Sequence, residues 1–104
     1  MIRHTVMFTL KHDPDSESEK KFLDAALCLD TIPTVKKFER LRQTSQKCDH
    51  RFGFSMEFDS QADYQTYNDH PVHTKFVKEN WIPEVASFQA VSYTHLTLPT
   101  IYSV

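Results

Sequence analysis

Apolar and polar residues alternate from the start of the chain. Ile2, His4, Val6, Phe8 and Leu10 fall on one side and Arg3, Thr5, Met7 and Thr9 on the other, which is the two-residue period of a β-strand over residues 2–10. KHDPD is a turn, and Ser16 followed by Glu19 has capping-box spacing at the start of a helix. Phe22, Leu23, Ala26, Leu27 and Leu29 then recur at helical spacing to about Asp30, opposite Glu19, Lys20 and Asp24, until Pro33 ends the pattern. Val35–Thr44 carries Lys36, Lys37, Glu39, Arg40 and Arg42, so it reads as an exposed edge strand, and SQKCDH after it as a turn.

In the second half Phe52, Phe54, Met56 and Phe58 alternate with Arg51, Gly53, Ser55 and Glu57, predicting a half-buried strand. Ser60, with Asp63 three residues on, caps a helix carrying Tyr64 and Tyr67. Pro71 predicts a break near His70 and opens a second helical piece to about Trp81, presenting Val72, Phe76, Val77 and Trp81. Pro83 is expected to close that piece, and Ala86–Val91 to return as a strand. The order strand, helix, strand, strand, broken helix, strand predicts an α+β domain of the ferredoxin-like kind, an antiparallel sheet with helices on one face. Its open face is most simply covered by a second copy, so a homodimer is expected.

The 104 residues suffice for one domain, and a formal charge of −2 gives no reason to expect nucleic acid or a membrane surface as partner. No apolar run is long enough for a membrane span, and MIRHTVMFTL lacks the apolar core of a signal peptide, so it reads as mature protein. Cys28 and Cys48 form neither a CxxC nor a dense framework, which fits two buried or incidental thiols in a cytoplasmic protein better than a disulfide. The single glycine, Gly53, excludes a P-loop and a dinucleotide-binding GxGxxG.

Three blocks, MIRHTVMFTLK, FSMEFDS and YNDHPVHTKF, together resemble the stress-responsive A/B barrel family, also called Dabb, over about residues 1–90. The resemblance implies a ferredoxin-like fold that dimerises tightly around a barrel between the two sheets. Some plant members of that family are polyketide cyclases, in which a tyrosine and a histidine transfer the protons of an aldol ring closure. Those positions correspond to Tyr67 and His73, and His4 matches a pocket histidine. Phe52 departs from the cyclases, which carry a further histidine there, and Val91 stands where their last strand has an aspartate.

The last stretch resembles something else. After Glu84 there is no Lys, Arg, Asp or Glu, and VSYTHLTLPT, Val91–Thr100, matches residue for residue the translation of a transposase-type sequencing adapter. Ile101–Val104 fit the index codons that follow, so residues 91–104 read as an adapter-derived tail on a shortened last strand, and Tyr93 and His95 carry no functional inference.

Within residues 1–90 the chemistry gathers around Pro71, where Tyr67, His70 and His73 fall on successive turns. An imidazole titrates near neutral pH, so His73 suits a general base, and the Tyr67 phenol suits a hydrogen bond to a developing enolate. The same residues equally suit ligand binding without chemistry, or simple closure of the core at the helix break. His70 and His73 with Asp69 or Glu79 form a poor metal clamp across a proline, so neither metal nor cofactor is expected. His70 instead is expected to cap the preceding helix with a cationic ring. His4 reads either as a hydrogen-bonded core histidine or as a ligand-binding one. Phe8, Phe22, Phe54, Phe76 and Trp81 are core, and Phe22, Phe54, Phe76 and Trp81 join His4 in lining a ligand pocket if the core is hollow. The functional expectation is a homodimer holding a small apolar or aromatic ligand between sheet and helices, with proton transfer next to a carbonyl as its chemistry if it has one. A non-enzymatic stress-associated dimer and a cofactor-free monooxygenase-like protein remain as alternatives.

Overall fold

The computed structural model describes residues 1–44 and 50–94. Cys48 and His95 lie outside the described residues. Strand β1 (Ile2–Leu10) leads through a turn to helix α1 (Glu17–Ala25), which tightens into a 3-10 helix over Ala26–Thr31. Strands β2 (Lys36–Arg42) and β3 (Phe52–Phe58) follow, then α2 (Gln61–Asp69) and α3 (Pro71–Phe76). A π-helical turn (Val77–Trp81), the short α4 (Ile82–Glu84) and strand β4 (Val85–Thr94) complete the described chain. The sheet order is β2-β3-β1-β4 and every pairing is antiparallel, which is the ferredoxin-like arrangement with the helices over one face.

Both predicted caps form. Ser16 Oγ accepts from Glu19 N–H at 3.2 Å, and Ser60 Oγ from Asp63 N–H at 3.1 Å. The Glu19 carboxylate reaches one residue further back than a capping box requires, to Asp15 N–H at 3.1 Å, because Ser16 N–H is already given to the Asp13 carbonyl.

Three expectations need correction. β3 is buried along its whole length, not half-buried. It lies between β1 and β2, its even-numbered residues sit under the helices, and on the opposite face Glu57 is covered by Arg3 at 2.5 Å and Lys37 at 3.5 Å. Pro83 does not end the second helical piece but sits inside α4. The preceding turn has widened so that Ile82 N–H reaches back to Val77 C=O, and the chain becomes extended only at Val85. Finally, β4 extends beyond Val91 to Thr94, because β1 offers backbone partners as far as Ile2.

The core is built on the helix-facing residues of β1 and β3. Phe8, Phe22, Phe54, Phe58, Ile32 and Met56 are fully buried. Phe8 stands at the centre, its ring centroid 4.6 Å from Phe54, 5.6 Å from Phe22 and 5.1 Å from Trp81. Toward the β1 start this aromatic packing gives way to Phe58, Tyr64 and Tyr67, and there the helices stand off the sheet.

Candidate functional site

The Pro71 break sets the site by leaving backbone groups to be satisfied. In an unbroken helix the Tyr67 carbonyl would accept from residue 71, but proline has no N–H. That carbonyl takes His70 N–H instead, at 3.1 Å. The Asn68 carbonyl would accept from Val72, yet Val72 N–H is donated to His70 Nδ1 at 3.1 Å. The carbonyl so freed accepts from His73 Nδ1 at 3.0 Å.

Each histidine role follows from this. His70 stands at the C-cap of α2, the preceding helix, as expected, but its ring serves α3, the following helix, as a hydrogen-bond acceptor rather than as a cationic cap. His73 has its Nδ1–H fixed on a carbonyl, so Nε2 carries the lone pair. The imidazole that joins His73 in the cavity is therefore not His70 but His4, which projects from β1 and shares a 2.9 Å hydrogen bond with Ser92 Oγ.

Tyr67 and His73 lie with ring centroids 4.4 Å apart, and His4 lies 6.3 Å from Tyr67 and 5.2 Å from Tyr64. All four line a cavity of about 370 Å³ between the sheet and α2, α3 and the π-turn. Phe54, Phe76 and Trp81 line it as well. Phe22 does not, its ring being packed behind against Phe8 and Phe76. Among the described residues no Lys, Arg, Asp or Glu contributes to the lining, and the His4, Tyr64, Tyr67 and His73 rings cluster on one another, His4 pairing with Ser92 four residues along β4 from Phe88. A larger groove of about 490 Å³ between α1 and β2 is lined by Leu23, Leu41 and Phe52 together with Asp15, Glu17, Lys20, Asp24, Arg40 and Arg42, an open surface of mixed charge.

Burial sets the protonation states. It pushes the Tyr67 phenol far up, with the nearby Tyr64 and Cys28 adding to the shift, so Tyr67 stays protonated and can only donate or accept a neutral hydrogen bond. It pushes His73 below the ordinary histidine value, partly offset by the bond to Asn68. His4 is lowered by burial first and by His73 second. Both imidazoles are thus held neutral, and the cavity offers basic nitrogens beside phenolic donors. Among the described residues no group of His, Cys, Asp and Glu stands together as a metal site.

Tyr64, Asn68, Met56, Ile82 and Phe88 also line the cavity and were not singled out as site residues in the sequence. Tyr64 was within reach, being one helical turn before Tyr67 on the same face. Phe88 was not, because its place beside Phe8 depends on the β1–β4 register.

An antiparallel four-stranded sheet, helices on one face and a neutral His/Tyr cavity beneath them define a ferredoxin-like α+β domain with a small-molecule-sized interior site. The chain belongs to the stress responsive A/B barrel domain family, Dabb, whose model matches residues 2–95. It is similar to a Dabb family protein with a ferredoxin-like fold from Mesorhizobium loti, at 55% identity, with 91% of this chain and 96% of that one covered and a TM-score of 0.89. Two more distant structures share the fold. One is a dimeric ferredoxin-like protein from Thermobifida fusca, at 21% identity, 90% of each chain covered and a TM-score of 0.76. The other is a hydroxynitrile lyase from Passiflora edulis, at 19% identity, with 94% of this chain and 96% of that one covered and a TM-score of 0.78. No curated protein matches the chain.

Proposed function

We propose that the protein is a homodimer that binds a small, neutral, apolar or aromatic compound in the His4–Tyr67–His73 cavity and moves a proton next to its carbonyl. The observation that carries this reading is the pairing of Tyr67 with His73 at the polar end of a cavity with no charged lining. His73 Nε2 takes a proton from the carbon beside the carbonyl, and the electron pair of the broken C–H bond moves onto the carbonyl oxygen as an enolate. The Tyr67 hydroxyl donates to that oxygen, and the imidazolium returns the proton to the same carbon or to its reaction partner. A neutral ligand is favoured because no described side chain in the lining carries a fixed charge to compensate a buried anion. The dimer is supported by the open sheet face and by relatives described as dimeric.

The direct test is to follow His73 Nε2 by nitrogen-15 NMR while titrating 4-hydroxyacetophenone. A saturable shift that weakens in Tyr67→Phe is expected. A His73 signal that stays in place to millimolar ligand ends the reading.

A further inference from the structure

The inner cavity shares lining residues with a second space. Beyond Trp81, Ile82 and Phe88 lies a second hollow of about 430 Å³, lined by those same residues with Val85, Ala86 and Ser87. The two spaces therefore share a wall, formed by the edge-on pair of Trp81 and Phe88 with ring centroids 5.5 Å apart. Among the described residues the outer hollow is as free of charge as the inner one and, apart from Ser87, has only apolar lining side chains. Ile82 is 66% exposed and Phe88 56% exposed, so large apolar surface stands in water beside an apolar opening.

We infer that the outer hollow is a second subsite for the hydrocarbon tail of the ligand whose polar head occupies the inner cavity. This rests on the proposed binding role of the inner cavity. The His4, Tyr64, Tyr67 and His73 rings cluster on one another, and on the sheet His4 pairs with Ser92, four residues along β4 from Phe88, so a compound oriented by them points its apolar end at Trp81 and Phe88. A chain leaving there meets Ile82, Val85 and Ala86 and covers surface that is otherwise hydrated. The ligand class narrows accordingly to neutral amphiphiles, a ring bearing one hydroxyl or carbonyl at one end and an unbranched alkyl or acyl chain at the other.

The experiment is a calorimetric titration of the full chain with 4-n-alkylphenols from ethyl to nonyl. Each methylene placed in the outer hollow is expected to tighten binding about threefold to fourfold. In the Ala86→Asp/Ser87→Asp double variant, at positions that line only the outer hollow, the gain among the long members should fall below about 1.5-fold per methylene, while 4-ethylphenol binds within about twofold of wild type. Both positions are exposed, so the variant keeps its core, which a melting curve verifies. Short members that bind with no dependence on chain length overturn the outer subsite and leave the inner one standing. No binding by any member overturns both. A double variant that loses its dimer on gel filtration, with the chain-length dependence intact, assigns the surface to a second copy and likewise overturns the proposal.

Discussion

His73 donates its Nδ1–H to the backbone carbonyl of Asn68 at 3.0 Å, across the break that Pro71 makes in the helix. One hydrogen bond thereby does two things. It satisfies a carbonyl that the proline has orphaned, and it fixes the imidazole tautomer that leaves a basic nitrogen beside Tyr67. The helix break and the proposed base are a single construction, so structure and chemistry at this position are not alternatives.

Replacing His73 by Ala should therefore be felt twice. The exposed Asn68 carbonyl costs about 1–2 kcal/mol of stability. Deuterium uptake into the methyl group of 4-hydroxyacetophenone in heavy water, read by proton NMR, should fall about a hundredfold or more, to the buffer rate. Uptake by His73→Ala at the wild-type rate would remove the histidine from the chemistry.

Tyr67→Phe separates the hydroxyl from the ring. The ring packs against Phe58 and His73 at 5.1 and 4.4 Å, and phenylalanine keeps that ring, so the variant should melt within a few degrees of wild type. Binding of 4-hydroxyacetophenone should weaken about fivefold to tenfold, the worth of one neutral hydrogen bond. Unchanged affinity by calorimetry would mean that the phenol does not touch the ligand.

The pH dependence has a definite sign. Burial lowers the folded values of His4 and His73, so between those values and about 6.5 the unfolded chain binds more protons than the folded one. The stability associated with the neutral rings is complete above about 6.5 and is lost as pH falls through the folded values. Exchange activity per free enzyme should likewise rise with pH through an apparent value below 6.5. An ascending limb centred above 6.5 contradicts a buried neutral base.

Much of this was legible in the sequence because local rules govern it. Alternation in β1 and β3, serine caps at Ser16 and Ser60 and the proline at 71 each act over a few residues. What was not legible depends on distant pieces meeting. Burial of Gly53, Ser55 and Glu57 requires β3 to lie between two strands. The exclusion of Phe22 from the cavity requires knowing that Phe8 and Trp81 stand around it. The choice of His4 over His70 as the second imidazole turned on one backbone N–H, that of Val72, which claims the His70 ring.

That claim is itself testable. His70→Ala removes the N-cap acceptor of α3 and should destabilise the protein by about 1 kcal/mol in urea, while His70→Asn, which supplies a short acceptor at the same place, should recover most of it. Equal losses in both variants would show that the ring matters for something other than Val72 N–H.

The core makes a larger prediction. Phe8 is fully buried and touches Phe22, Phe52, Phe54 and Trp81, four rings that cannot all collapse into the space it leaves. Phe8→Ala should cost about 3–5 kcal/mol by chemical denaturation. Phe8→Leu retains most of the volume and should cost less than half as much. A Phe8→Ala loss below about 1 kcal/mol would mean the rings close over the gap and the packing described is not rigid.

Glu57 supplies an acid-side prediction on the opposite face of the sheet. Its carboxylate is held by Arg3 at 2.5 Å, with Lys37 at 3.5 Å, and hydrogen bonding to Arg3 lowers its pKa below the ordinary glutamate value, against the opposing effect of desolvation. A depressed folded value means that the ion pair stabilises the protein above the unfolded value of about 4.3, and that this contribution disappears as pH falls through the folded value. Glu57→Gln removes the titration. Wild type should be the more stable at pH 7, and the gap between the two should close steadily as the pH drops below about 4. Arg3→Met tests the partner: it leaves Glu57 covered and short of its nearest cation, so its loss at pH 7 should exceed that of Glu57→Gln and should shrink on acidification. Melting temperatures of the three proteins from pH 3 to pH 7 decide the matter, and a Glu57→Gln gap that stays constant across that range would show that the Arg3 contact does not set the charge of Glu57.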